Sequence, residues 1–335
     1  MWRTVGQEKL VNTLARGLAE GRQASSYLLV GPPHVGKMTL AMDIARFITC
    51  TGDEKPCGEC LLCDRIGRGL NTDVTVINKD YGAPEGAGEK TTIPVTAMRD
   101  VVLSASLKPS EGNSRIFIIE AAESLNVPTA NVLLKTLEEP PEQTVWILLA
   151  TTSDRLLPTI VSRCQKLELR PATRETVMNL LINEHGAEKQ RAEEIAHLSG
   201  GRIGWAIQAI SDPSVLEEIN GKLDSIEEVL KAPVDARFDY ALKLSRDLRQ
   251  DRESAQQELE LWIEFWRDMM LVRQGLNQHI KHLGRHSVMK AYADKLSLQQ
   301  ISRVMASIKQ TKGYLGQNAN AQLAIENMML SLPQP

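Results

Sequence analysis

The sequence has no run of about 18 apolar residues, which argues against a membrane-spanning helix. It has no leader-like start either, since Met1-Trp2-Arg3-Thr4 runs straight into a polar, amphipathic segment, and a cytoplasmic protein is expected. It lacks a basic excess: 39 Lys and Arg stand against 42 Asp and Glu, for a formal net charge of −3. No global field therefore points to nucleic acid, although a local patch is compatible with that balance. Internal repeats and low-complexity tracts are absent. Cysteine is scarce, at five residues in 335, yet four of them crowd into fourteen positions. In a reducing compartment such a cluster points to a metal rather than to disulfides. The chain is long for one average domain, and its 42% hydrophobic content is enough to build two or three cores.

The stretch SYLLVGPPHVGKMTLAMDIARFI, residues 26–48, organises the first half. Its apolar run breaks at Gly31, crosses a Gly/Pro loop to Gly36 and Lys37, and resumes with helical spacing at Leu40, Ile44 and Phe47. The pattern G-x-x-x-x-G-K lets backbone N–H groups close around phosphate oxygens, with the lysine and the helix N-terminus adding positive charge. A Ser or Thr that ligates magnesium usually follows. Here Met38 follows, a poor ligand for a hard cation, and Thr39 lies about 100° further round the helix.

Cys50, Cys57, Cys60 and Cys63 come next, with two overlapping C-x-x-C spacings able to converge on a tetrahedral zinc. Four protein thiolates leave no open coordination position, so such a site is structural. A short strand is expected at Val74 to Asn78, and an exposed flexible loop at Gly82 to Lys90. Helical spacing returns at Val95, Met98, Val102 and Ala105. The segment RIFIIEAAESL, from Arg115, reads as a buried parallel strand that ends in acid. Phosphate-loop ATPases place a metal-binding Asp and a water-activating Glu there; this chain has Glu120 and Ala121. An amphipathic helix through Ala130, Leu133 and Leu137 stops at Pro140 and Pro141. TVWILLATT is a further strand, and LLPTIVSRC and KLELRP follow it. Alternating strands and helices to about residue 168 predict a doubly wound parallel sheet. From Thr173 the pattern is helical throughout, with an apolar stripe at Leu259, Trp262, Ile263, Trp266, Met269 and Met270.

Taken together, GPPHVGK, the four-cysteine insert, NVLLKTLEEPPEQTVWILLATT and LPTIVSRC resemble the AAA+ subunits of the bacterial DNA polymerase III clamp loader. The resemblance covers residues 1 to about 210. It implies an α/β AAA+ phosphate-loop core at 1–168 with a zinc module at 50–63, an all-α lid at 169–212 and an all-α collar at 213–335. It also implies a part in the DNA polymerase III holoenzyme, with delta and gamma/tau subunits as partners and the sliding clamp and primed DNA reached through the complex.

Two kinds of subunit in that family share these motifs, the ATP-hydrolysing gamma/tau and the non-hydrolysing delta prime. Met38 replaces the expected Thr, Glu120-Ala121 replaces Asp-Glu, and Gly204 falls where the family's sensor 2 arginine would sit, with Arg202 two positions earlier. Loss of metal ligand, base and charge stabiliser together points to the delta prime kind. Arg163, in Ser162-Arg163-Cys164, matches the family's arginine finger, which acts on a neighbour's ATP. Gly31, Gly36, Lys37, Thr39, Glu120 and Thr152, the sensor 1 position, then form a nucleotide site that holds ATP or ADP statically or survives as a relic. His34 reads as a solvated side chain. The competing readings are an active gamma/tau-type ATPase, with Thr39 or Glu120 rescuing the metal, and a zinc-organised DNA-binding module. Net acidity and the lack of interleaved basic and aromatic residues around the cysteines weigh against the last.

Overall fold

In a computed structural model the chain is described over residues 1–82, 92–250, 252–316 and 319–333. The expected exposed loop at 82–90 lies outside these apart from Gly82. Two compact units are present, one of Met1–Val177 with Gly201–Trp205 and the other of Met178–Gly200 with Ala206–Pro335.

The first unit holds five strands, β1 (Ser26–Val30), β2 (Val74–Ile77), β3 (Arg115–Ile119), β4 (Thr144–Ala150) and β5 (Gln165–Glu168). They form one all-parallel sheet in the order β2-β3-β4-β1-β5. Crossovers between parallel strands need helices, and covering both faces explains the unbroken apolar runs of β1 and β4. Around the sheet run α1 (Glu8–Ala19), α2 (Lys37–Thr49), α3 (Leu61–Gly67), α4 (Val95–Ala105), α5 (Val127–Glu138) and α6 (Pro158–Val161). One apolar cluster packs α1 and α2 against Tyr27, Leu29, Ile118 and Ile147. The other packs α4 and α5 against Leu28, Phe117, Trp146 and Leu148. Alternate residues of each strand thus serve opposite faces, as the two-residue period requires.

Local signals set the helix ends. Asn126 caps α5 by accepting the Thr129 N–H at 2.9 Å, with Pro128 in its first turn, and Pro140 and Pro141 follow its end. Gly36, at φ 96°, starts α2 in a left-handed conformation that glycine adopts without strain. The N-terminal segment is tied to α2 by a buried carboxylate. One Asp43 oxygen accepts the N–H groups of Arg3 and Thr4 and the Thr4 hydroxyl at 2.7–2.8 Å. The other pairs with buried Arg46 at 3.0 Å.

The rest of the chain is helical among the described residues, with α7 (Arg174–His185), α8 (Lys189–Ser199), α9 (Ile203–Ser211), α10 (Ser214–Lys231), α11 (Val234–Gln250), α12 (Arg252–Arg273), α13 (His286–Lys295), α14 (Leu298–Gly316) and α15 (Ala321–Leu330). The stripe expected on α12 forms the core of the second unit, where Leu259, Trp262, Trp266 and Met269 are fully buried. Buried Arg237 donates to the carbonyls of Leu230, Ala232, Leu332 and Pro333, fixing the last described turn of chain to α10 and α11. No helix among the described residues is long and apolar enough to cross a membrane.

Removing Asp43 leaves the Arg46 cation buried without its counter-ion, so Asp43→Ala is expected to destabilise the first unit by about 3–5 kcal/mol. Denaturant unfolding measures this, and a loss below about 1 kcal/mol would show that the tether is dispensable.

Candidate functional site

The phosphate loop sits at the C-terminal end of β1, where the sheet order reverses and open α/β sheets take up ligands. Gly31 is required there by packing. A Cβ at this position would lie 2.5 Å from the Leu169 carbonyl oxygen, while the Gly31 N–H donates to Ala150 O at 3.1 Å. Gly36 is required by conformation alone, since a Cβ would meet open space. The Lys37 ammonium donates back to the carbonyls of Gly31 at 2.6 Å and Pro32 at 2.8 Å. Burial lowers its pKa, and the Glu123 carboxylate works against that shift.

Around the lysine, Met38 packs on the apolar cluster beneath α2, and Thr39 is exposed. Glu120 is exposed at the end of β3, and Ala121 follows at φ 52°, an uncommon conformation for a residue with a Cβ. The carboxylate held against the strand ends is Glu123, a residue that the sequence patterns pass over. One Glu123 oxygen accepts the Thr151 hydroxyl at 2.6 Å and the Thr151 N–H at 3.1 Å. Its other oxygen is buried without a hydrogen bond. Thr152, singled out from the sequence, instead accepts the Asp154 N–H at 3.3 Å and so caps the next turn. A cleft of about 370 Å³ opens at these strand ends, lined by Gly31, Pro32, Thr151, Thr152, Lys166 and Arg170 among others.

At the start of α9, the Gly204 N–H donates to the His34 carbonyl at 2.8 Å, and a Cβ at 204 would come within 3.2 Å of that oxygen. The His34 side chain itself is exposed. Arg202 lies over the Trp205 ring, 5.7 Å from its centroid. Arg163 follows α6 and is one third exposed. Its Nη2 pairs with Glu138 at 2.5 Å, and its Nη1 donates to Thr159 O at 2.9 Å. The next side chain, Cys164, packs toward the core, and burial pushes its thiol up to about 12.

The second constellation is the cysteine cluster. Cys50 follows α2, Cys57 and Cys60 lie in the loop, and Cys63 is on α3; their four sulfurs all lie within 4.8 Å of one another. Tetrahedral zinc–thiolate geometry calls for sulfur separations of about 3.8 Å, which this cage can meet with small adjustments. Backbone N–H groups point at the sulfurs: those of Gly52 and Cys57 reach Cys50 Sγ at 3.4 Å, and that of Cys60 reaches Cys57 Sγ at 3.2 Å. Such donors favour thiolates, and an all-sulfur donor set suits a soft or borderline metal. Gly52 permits the approach, since a Cβ there would lie 3.0 Å from Cys57 Cβ. Glu111 ties the module to the sheet by pairing with Arg65 at 3.1 Å and accepting from Thr72 at 2.8 Å. The cluster could therefore hold a metal ion.

The metal-free thiols have divided proton affinities. Burial raises that of Cys63, to about 12. Burial also acts to raise Cys60, but hydrogen bonds from Thr51 and Cys63 outweigh it and bring Cys60 down to about 6. At pH 7 Cys60 is already a thiolate and Cys63 carries a proton that a metal must displace. Metal-stripped chain titrated with zinc should take up one equivalent and release protons, with affinity falling more steeply once the pH drops below about 6. Calorimetry in buffers of different ionisation enthalpy reads this. Undiminished uptake by Cys60→Ser together with Cys63→Ser would contradict it.

Comparison with known proteins gives the family. The family described as "DNA polymerase III, delta subunit" matches residues 6–173. DNA polymerase III subunit tau of Bacillus subtilis is 30% identical over 288 residues, covering 80% of this chain and 49% of its own length. Subunit delta' of the same organism is 24% identical over 329 residues, covering 98% of this chain and 96% of its own. Subunit delta' of Pseudomonas aeruginosa is 33% identical over 224 residues, 64% of each chain. The chain thus spans about half the length of the tau relative and nearly all of the B. subtilis delta' relative. It belongs to the DNA polymerase III delta-subunit family, clamp-loader subunits related to gamma/tau.

Proposed function

We propose that this chain is a delta prime-type clamp-loader subunit that hydrolyses no ATP itself and supplies Arg163 to a neighbour's ATP site. The observation that carries the reading is the placement of Met38. Its thioether packs into the apolar cluster under α2, so the lysine of the phosphate loop has no adjoining hydroxyl to hold magnesium. Ala121 offers a methyl group where a base would stand. Gly204 brings a bare backbone N–H to His34, where the family carries a charged side chain. Near-complete alignment with the B. subtilis delta' subunit supports the same side. ATP or ADP held at Gly31, Gly36 and Lys37 would then stay unconverted.

On this reading residues 1–168 form an AAA+ core, 169–212 a lid and 213–335 a collar that assembles with delta and gamma/tau subunits. The complex acts on the sliding clamp and primed DNA. Cys50, Cys57, Cys60 and Cys63 hold a structural zinc that fixes the insert between α2 and α3 and takes no part in phosphoryl transfer. Arg163 would be presented across a subunit boundary, where a planar guanidinium can meet the charge that develops on a transferring phosphoryl group.

The purified chain should show no ATP turnover. Arg163→Ala, in a loader reconstituted with delta and gamma/tau subunits, should lower clamp-dependent turnover by at least about tenfold while the complex still assembles. Turnover by the chain alone, abolished by Lys37→Ala, would establish the gamma/tau-type motor instead.

A further inference from the structure

We infer that Glu138 is a positioning residue for Arg163, holding the guanidinium in the orientation in which it is presented to a neighbouring subunit. The inference rests on the finger reading of Arg163 given above.

Glu138 lies in the last turn of α5, where a negative charge faces the negative end of the helix dipole and gains nothing from its own helix. Across from it, Arg163 leaves the short α6 on a backbone fixed from below, since Ile160 is buried and Cys164 packs toward the same core. The Glu138 carboxylate takes Nη2 at 2.5 Å. The Thr159 carbonyl takes Nη1 at 2.9 Å, and the Ser162 hydroxyl lies 3.4 Å from that same nitrogen. Acceptors on two separate elements therefore define the guanidinium plane.

Arginine carries five N–H donors in a rigid fork. With one donor on Glu138 and one on Thr159, enough remain for a bidentate contact with an anion. The side chain is one third exposed and Glu138 about half exposed, so the fork is accessible as well as oriented. An untethered arginine would surrender its rotamer freedom at the moment of engagement. The Glu138 contact makes that loss beforehand, which is what orientation contributes to a transition state. The exposed pair is weak enough to adjust when a stronger anion arrives.

The test is a double-mutant cycle in the reconstituted loader, comparing the unaltered chain, Glu138→Gln, Arg163→Ala and the double variant, with assembly followed by size-exclusion chromatography. Glu138→Gln keeps the side chain's size and removes its charge. It is expected to lower kcat for ATP by about three- to tenfold, with little change in KM. The double variant should be no slower than Arg163→Ala, because Glu138 has nothing left to orient. An unchanged or raised kcat in Glu138→Gln would overturn the proposal. So would a multiplicative loss in the double variant, which would mean that Glu138 acts independently of Arg163. Should Arg163→Ala itself leave turnover intact, the finger reading falls and this inference falls with it; a loss in Arg163→Ala beside an inert Glu138→Gln removes the inference alone.

Discussion

The candidate site hangs on the packing of β1 between β4 and β5. β1 is an interior strand buried on both faces, and its end is held so tightly that a Cβ at Gly31 would strike the Leu169 carbonyl. Everything beyond Val30 is placed by this contact, including the loop, the start of α2 and the ammonium of Lys37. The glycine that a phosphate cradle needs is also the glycine that the sheet needs.

On the proposed reading, this double duty accounts for a phosphate loop that keeps its shape while Met38 and Ala121 stand where a metal ligand and a base are expected. Lys37 is satisfied by the loop's own carbonyls, and Met38 adds apolar contact where a hydroxyl would need a polar partner. Folding and phosphoryl chemistry are thus separable here, since the loop's geometry serves the core with or without a working metal site. Arg163 belongs to a different part of the surface. It is set by α5 and α6, so it can persist independently of what happens at Lys37.

Much of this was legible in the sequence. Long apolar runs gave β1, β3 and β4, because a parallel sheet covered on both faces leaves no polar alternation to confuse with loop. Cysteine spacing identified the cluster, because thiol chemistry in a short loop has few other uses. The α12 stripe gave the core of the second unit through its helical period. Side-chain choice between near neighbours was harder. Thr151 rather than Thr152 meets the acid, because the turn after β4 rotates the second threonine onto Asp154. Glu123 lay outside any motif spacing, and its placement follows from the left-handed turn at Ala121. Glu138 is one of three acids in a polar stretch, with Glu139 and Glu142, and only the approach of α6 to the end of α5 distinguishes it. The split of 169–212, with Gly201–Trp205 in the first unit and the remainder beyond Val177 in the second, rests on tertiary contacts that no local pattern carries.

The central claim is that this chain works on a neighbour's nucleotide and not on its own. The most direct test is the structure of the assembled loader with a non-hydrolysable ATP analogue and magnesium. The account predicts the Arg163 guanidinium within about 3 Å of a phosphate oxygen bound to the adjacent subunit, with no magnesium coordinated at this chain's loop. A metal–nucleotide complex seated on Lys37, with Arg163 remote from any phosphate, would contradict it.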